Sequence, residues 1–164
     1  MKRTELFSKS LLKFSNQQKK RVAKAQQEAC QKICKDIKRL APVDTGAYRD
    51  DIRVSKTEVN GNKISTSIYS TMTLGNINHS DTPTLPQWEN VPLALIIETG
   101  TQPHFITPRN PNGVLRWEDD DGTVHYAKWV LHSGTKPNPH WTKVVTRTRD
   151  FYRRKINKAI KGKK

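Results

Sequence analysis

Residues 17–40, QQKKRVAKAQQEACQKICKDIKRL, decide the fold class. Val22, Ala25, Gln26, Ala29, Cys30, Ile33, Cys34, Ile37 and Leu40 recur at intervals of three and four, the period of an amphipathic helix, and Lys and Arg fill the opposite face. Pro42 ends the pattern, because proline disfavours helical geometry in the residue before it. Cys30 and Cys34 share one face of this helix at a spacing too tight for a relaxed disulfide, so reduced thiols in a reducing compartment are expected. Upstream, Leu6, Leu11, Leu12 and Phe14 suggest a separate, shorter helix, with Ser15-Asn16 as the break or cap. At the other end of the chain Trp141, Val144, Val145, Thr148, Phe151, Tyr152, Ile156 and Ile160 form a second helical stripe, introduced by Asn138-Pro139. The tail, residues 161–164, is expected to fray.

Between the helices the period falls to two. Residues 52–59 and 63–69 read as strands joined at Asn60-Gly61-Asn62, a strong hairpin signal. Residues 93–98 are a third strand or a short helix, since periodicity does not arbitrate so short a run. Residues 114–117 and 123–130 form another hairpin around Glu118-Asp119-Asp120-Asp121-Gly122, and residues 71–90 read as a long loop. The pattern is α+β in a single domain over 1–164. It comprises a basic helical part (1–40), a β-rich core (41–137), a C-terminal helix (138–160) and a basic tail (161–164).

Composition bounds the function. Hydrophobic residues make up 34% of the 164, below the roughly 45–50% of ordinary domains, so the chain is expected to lean on partners. The longest uncharged apolar run, residues 91–97, is far short of the roughly 20 residues of a membrane-spanning helix, and no secretory signal pattern opens the sequence. No membrane partner is expected. The net charge of +15 is unevenly placed: residues 1–39 hold 12 Lys/Arg and 3 Asp/Glu, residues 143–164 hold 10 and 1, and residues 40–142 hold 8 and 11. Lys19, Lys20, Arg21 and Lys24 on the first helix and Arg153, Arg154 and Lys155 on the last could neutralise phosphates. That would give salt-dependent, sequence-independent nucleic-acid contact, and the same faces would equally suit an acidic protein surface or plain solvation.

Chemical motifs are few. Asp44-Thr45-Gly46-Ala47 matches the short D-T-G-A sequence of retroviral-type aspartic proteases, but no apolar strand leads into it; a capped turn with a permissive glycine is the simpler reading. His79, His104, His125, His132 and His140, with Cys30 and Cys34, lack the paired spacing of zinc ligands, and residues 118–122 lack the alternation of an EF-hand loop. No catalytic, metal or cofactor site is expected.

Three stretches taken together carry a resemblance: A-P-V-D-T-G-A-Y-R-D-D-I at 41–52, I-E-T-G-T-Q-P-H at 97–104, and H-S-G-T-K-P-N-P-H-W at 132–141. Their order resembles the minor tail or tail-completion proteins of long-tailed bacteriophages, the group that includes the lambda tail-completion protein Z. The motif positions are Pro42, Asp44, Thr45 and Gly46, then Gly100, Thr101 and Pro103, then Gly134, Thr135 and Pro137. This chain departs from the pattern at Tyr48, where leucine is usual, at Asp50-Asp51, in a segment that normally ends in serine, and at His140-Trp141, where phenylalanine is common. Residues 71–90 are also longer than the pattern.

The resemblance implies a small antiparallel sheet packed on a long N-terminal helix and a non-enzymatic virion part at the neck. It implies a hexameric ring of this chain that contacts connector and tail proteins, with the genomic DNA passing through, assembled in the host cytoplasm. The two Gly-Thr-x-Pro segments would set rigid turns, either placing loops against adjacent subunits or simply linking strands.

Overall fold

The computed structural model describes residues 2–76, 90–108 and 110–162. The fold is α+β: the described residues form two long α-helices, two short ones and eight short strands that pair as four antiparallel two-stranded ladders. The chain divides into two compact units, residues 1–69 with 140–164, and residues 70–139.

In the first unit, helix α1 (Lys2–Leu40) runs without interruption. The break expected at Ser15-Asn16 does not occur. Neither residue is Gly or Pro, and two middling helix formers cost only about 0.5 kcal/mol each against a ladder of hydrogen bonds on both sides. Helix α4 (His140–Lys161) packs antiparallel on α1: Gln18 Nε2 donates to the Ile160 carbonyl at 3.2 Å, and Lys155 meets Glu28 at 2.7 Å. The buried residues of the helix pair are small or β-branched, with Ala25, Ala29, Cys30, Ile33, Cys34 and Ile37 buried on α1 and Val144 and Thr148 on α4. Burying a side chain such as Ile37 contributes about 2–3 kcal/mol. Thr148 turns its hydroxyl back onto the Val144 carbonyl at 2.8 Å, so a polar residue is buried without an unmet donor. Both cysteines are free and buried, and burial pushes both thiols up from their ordinary pKa.

Helix α2 (Ala47–Asp51) follows the turn after α1, and strands β1 (Arg53–Val54), β2 (Glu58–Asn60), β3 (Lys63–Ser65) and β4 (Ile68–Tyr69) then fold back on α1. Asn60 pairs with Lys63, so the hairpin turn is Gly61-Asn62, with a positive φ of 60° only at the glycine, as in type II′ turns. The two continuous strands expected here are interrupted at residues 55–57 and 66–67. Gln27 of α1 fills the gap: its Nε2 donates to the Ser55 carbonyl at 3.2 Å, and its Oε1 accepts from the Thr57 N–H at 2.7 Å and hydroxyl at 2.8 Å.

In the second unit, residues 72–74 and 91–93 close the base of the long loop, through Leu74 N–H to the Val91 carbonyl (3.0 Å) and Leu93 N–H to the Met72 carbonyl (2.9 Å). Residues 77–89, most of the loop expected over 71–90, lie outside the described residues. The ambiguous run at 93–98 is helical: α3 (Leu93–Thr99) starts after Pro92 and is capped by Gly100, whose N–H donates to the Ile96 carbonyl. Strands β6 (Leu115–Glu118) and β7 (Val124–Ala127) form the expected hairpin, but β7 stops at Ala127. Val130 begins a separate strand, β8 (Val130–His132), which pairs with β5 (His104–Ile106), a strand too short to be read from its sequence.

Candidate functional site

The motif residues and the basic clusters fall at three places. In the first unit, Ala41 still donates to the Ile37 carbonyl at 2.9 Å, after which Pro42, Asp44 and Thr45 are exposed on the turn out of α1. Gly46 holds φ 88° and opens α2, with its carbonyl accepting from the Asp50 N–H at 3.0 Å. The Thr45 hydroxyl accepts from the Ala47 N–H at 3.4 Å. Asp44 therefore lies on a solvent-facing turn. The turn delivers Tyr48 into the interior, where its hydroxyl lies 3.0 Å from Nε2 of His140, a residue only 1% exposed, and accepts from Trp141 Nε1 at 2.9 Å. The Tyr48 ring meets His140 edge-on with centroids 5.7 Å apart. Tyr48 and His140-Trp141, two departures from the pattern the sequence resembles, thus form one hydrogen-bonded cluster at the start of α4.

In the second unit, the two Gly-Thr-x-Pro segments pair with each other. Thr101 and Thr135 form an antiparallel bridge, Thr101 N–H to the Thr135 carbonyl at 3.0 Å and the reverse at 3.2 Å, and the Thr101 hydroxyl also accepts from the Thr135 N–H at 2.9 Å. Gly100 (φ 71°) and Gly134 (φ 83°) flank the bridge. A Cβ on Gly100 would collide with the Thr135 carbonyl oxygen and lie 2.9 Å from Pro137 N; a Cβ on Gly134 would collide with the Thr101 carbonyl oxygen and lie 3.1 Å from Pro103 N. Each glycine makes room for the other segment's threonine and proline, so the two copies form a reciprocal clasp. Beside it, His104 and His132 face each other across β5 and β8 with centroids 5.0 Å apart. His132 Nδ1 accepts from the Gly134 N–H at 3.1 Å, and His104 Nδ1 lies 2.8 Å from the Gln102 carbonyl, which it can only meet as a donor. Among the described residues no group of three or more His, Cys, Asp or Glu gathers that could hold a metal ion.

The third place is the basic surface of α1 and α4. The antiparallel packing brings the two clusters onto one helix pair, but they are not equivalent. The Lys155 ammonium hydrogen-bonds Glu28 and, with Lys24 adding its charge, holds that carboxyl below its usual range. The guanidinium of Arg21 lies over Gly162, and Lys20, Arg21, Lys24, Arg153 and Arg154 are exposed while Lys19 is half-buried. No helix among the described residues is long and apolar enough to cross a membrane.

Residues 6–73 match the model of the HK97-gp10-like family, described as "Bacteriophage HK97-gp10, putative tail-component". The match is a likeness to a phage tail component over 68 of the 164 residues. It spans most of α1 and all of α2 and β1–β4, and contains the first motif, while the paired Gly-Thr-x-Pro segments lie beyond it. No curated protein and no solved structure matches the chain.

Sequence reasoning placed Leu11, Leu12 and Phe14 on a helix but not their exposure, and it missed the exposed Phe105, Trp129 and Leu131 on or beside the β5–β8 ladder. The only signal for the second group is apolar residues flanking a three-residue strand, too short for a period to register.

Proposed function

We propose that this chain is a structural component of the phage neck, acting in tail completion and head–tail joining through a ring of copies, hexameric in the resemblance, that contacts connector and tail proteins. The observation that carries this reading is the family match over residues 6–73, which coincides with the helix-and-hairpin body of the first unit. The protein acts here by shape and contact, without catalysis or cofactor, as one tail-type domain within the virion. The clasp of the two Gly-Thr-x-Pro segments supports a scaffolding role, because it fixes loop geometry by backbone pairing and leaves side chains such as Lys136 turned outward. Deletion of the gene tests the reading: heads and tails should accumulate unjoined, and normal joined virions would overturn it.

A second reading, sequence-independent contact with nucleic acid, is favoured by the charge of the first unit, which holds 26 Lys/Arg against 8 Asp/Glu. Within the neck this would be contact with the passing genome. Retention of the purified protein on double-stranded DNA at low salt and its release with rising salt would support it; equal behaviour on a neutral matrix would exclude it.

A further inference from the structure

We propose that the chain self-associates head to tail, the projecting start of α1 on one copy docking against the aromatic β5–β8 face of the next. The inference deepens the reading of the chain as an assembling subunit and rests on it.

One surface is the helix. Helix α4 ends at Lys161, beside Gln18, and α1 continues beyond it for residues 2–17, about 24 Å at 1.5 Å per residue. The face that meets α4 through Gln18 and Glu28 is continued on this extension by Phe14 and Leu11, at helical spacing from Gln18, with Leu12 on the flank. Over this stretch there is no α4 to cover them, and they are 58%, 52% and 64% exposed. From Leu6 to Gln27 the chain carries six Lys/Arg and no Asp or Glu.

The other surface has the complementary character. Among the described residues of the second unit, Leu115 is the only buried apolar side chain. Phe105 and Leu131 face each other directly across β5 and β8 yet are 61% and 58% exposed, and Trp129, 60% exposed, meets Phe105 edge-on with centroids 5.3 Å apart. Three large contiguous apolar groups on one side of a two-stranded ladder mark a contact surface. This unit holds 4 Lys/Arg against 7 Asp/Glu, with Glu118, Asp119, Asp120 and Asp121 consecutive on the β6–β7 turn.

Charge selects the pairing. Two helix extensions side by side would juxtapose lysines with no acid between them, and two ladder faces would bring together two units of net negative charge. The unlike pairing buries both apolar sets and brings a basic helix to a unit of net negative charge. Because the two surfaces differ, every copy retains one of each, so the contact propagates to a closed ring or an open filament.

The test uses the full chain and sedimentation. The wild type should associate at tens of micromolar, and more weakly as salt rises. The exposed-site variants Leu12→Ser/Phe14→Ser and Phe105→Ser/Leu131→Ser, each checked for an unchanged circular-dichroism spectrum, should lose self-association at least tenfold. Mixed together, they should form a one-to-one dimer, since each keeps one intact surface. A monomeric wild type, variants that associate normally, or a mixture that stays monomeric would overturn the inference. So would loss of binding to a different tail protein with self-association unchanged. If any of these accompanies unjoined heads and tails in the gene deletion, the neck reading stands and only the self-contact falls.

Discussion

Tyr48 places one hydroxyl between a buried histidine and the tryptophan that opens α4, and its effect is testable without disturbing packing. Tyr48→Phe removes both hydrogen bonds while keeping the ring, and should lower stability by about 1–3 kcal/mol. Tyr48→Leu alone should cost at least as much, whereas Tyr48→Leu combined with His140→Phe should cost less than the sum of the single changes in a double-mutant cycle of melting curves. The glycines of the clasp give a second residue-scale prediction. Gly134→Ala places a methyl group against the Thr101 carbonyl at a φ of 83° and should open the Thr101–Thr135 bridge, seen as faster hydrogen exchange at both amides. The pairing of these segments could not be read from the sequence, because 33 residues separate Thr101 from Thr135 and identical short motifs carry no information about whether they meet.

At the scale of elements, long periodic segments were legible and short ones were not. The stripe from Gln17 to Leu40 and that from Trp141 to Ile160 span several turns each, enough to define a helical face, and both helices form. The second half of residues 123–130 was misjudged because Val130 changes partner: it leaves β7's ladder for β5's, a decision made by long-range pairing. The interruption at residues 55–57 has a tertiary cause as well, the Gln27 amide that replaces ladder partners. Gln27→Ala removes three hydrogen bonds and leaves the Thr57 N–H without its acceptor. It should cost about 1–3 kcal/mol in urea unfolding, while Gln31→Ala on the exposed face of the same helix should be near neutral.

At the scale of the whole molecule, the core is concentrated in one unit. Among the described residues, ten of the eleven buried apolar side chains belong to residues 1–69 with 140–164, and Leu115 alone to residues 70–139. Stability should follow that distribution: amides of β5 to β8 in the isolated chain should exchange faster than those of α1 between Ala25 and Ile37. Equal protection in the two units would contradict it. The low apolar fraction is shared by both units, 33 of 94 residues in the first and 22 of 70 in the second, so they differ in how much apolar surface is buried and not in composition.

The sequence by itself determined the helix pair, the α+β class, the reduced thiols and the uneven charge. These follow from local periodicity, spacing and composition, which need no knowledge of distant partners. Only the tertiary structure decided that Tyr48 meets His140 and Trp141, that the two Gly-Thr-x-Pro segments clasp each other, and that α1 outruns α4 and leaves Leu11, Leu12 and Phe14 uncovered. Each of these depends on which residues far apart in the chain come within a few ångströms, and burial and backbone pairing across the fold set that.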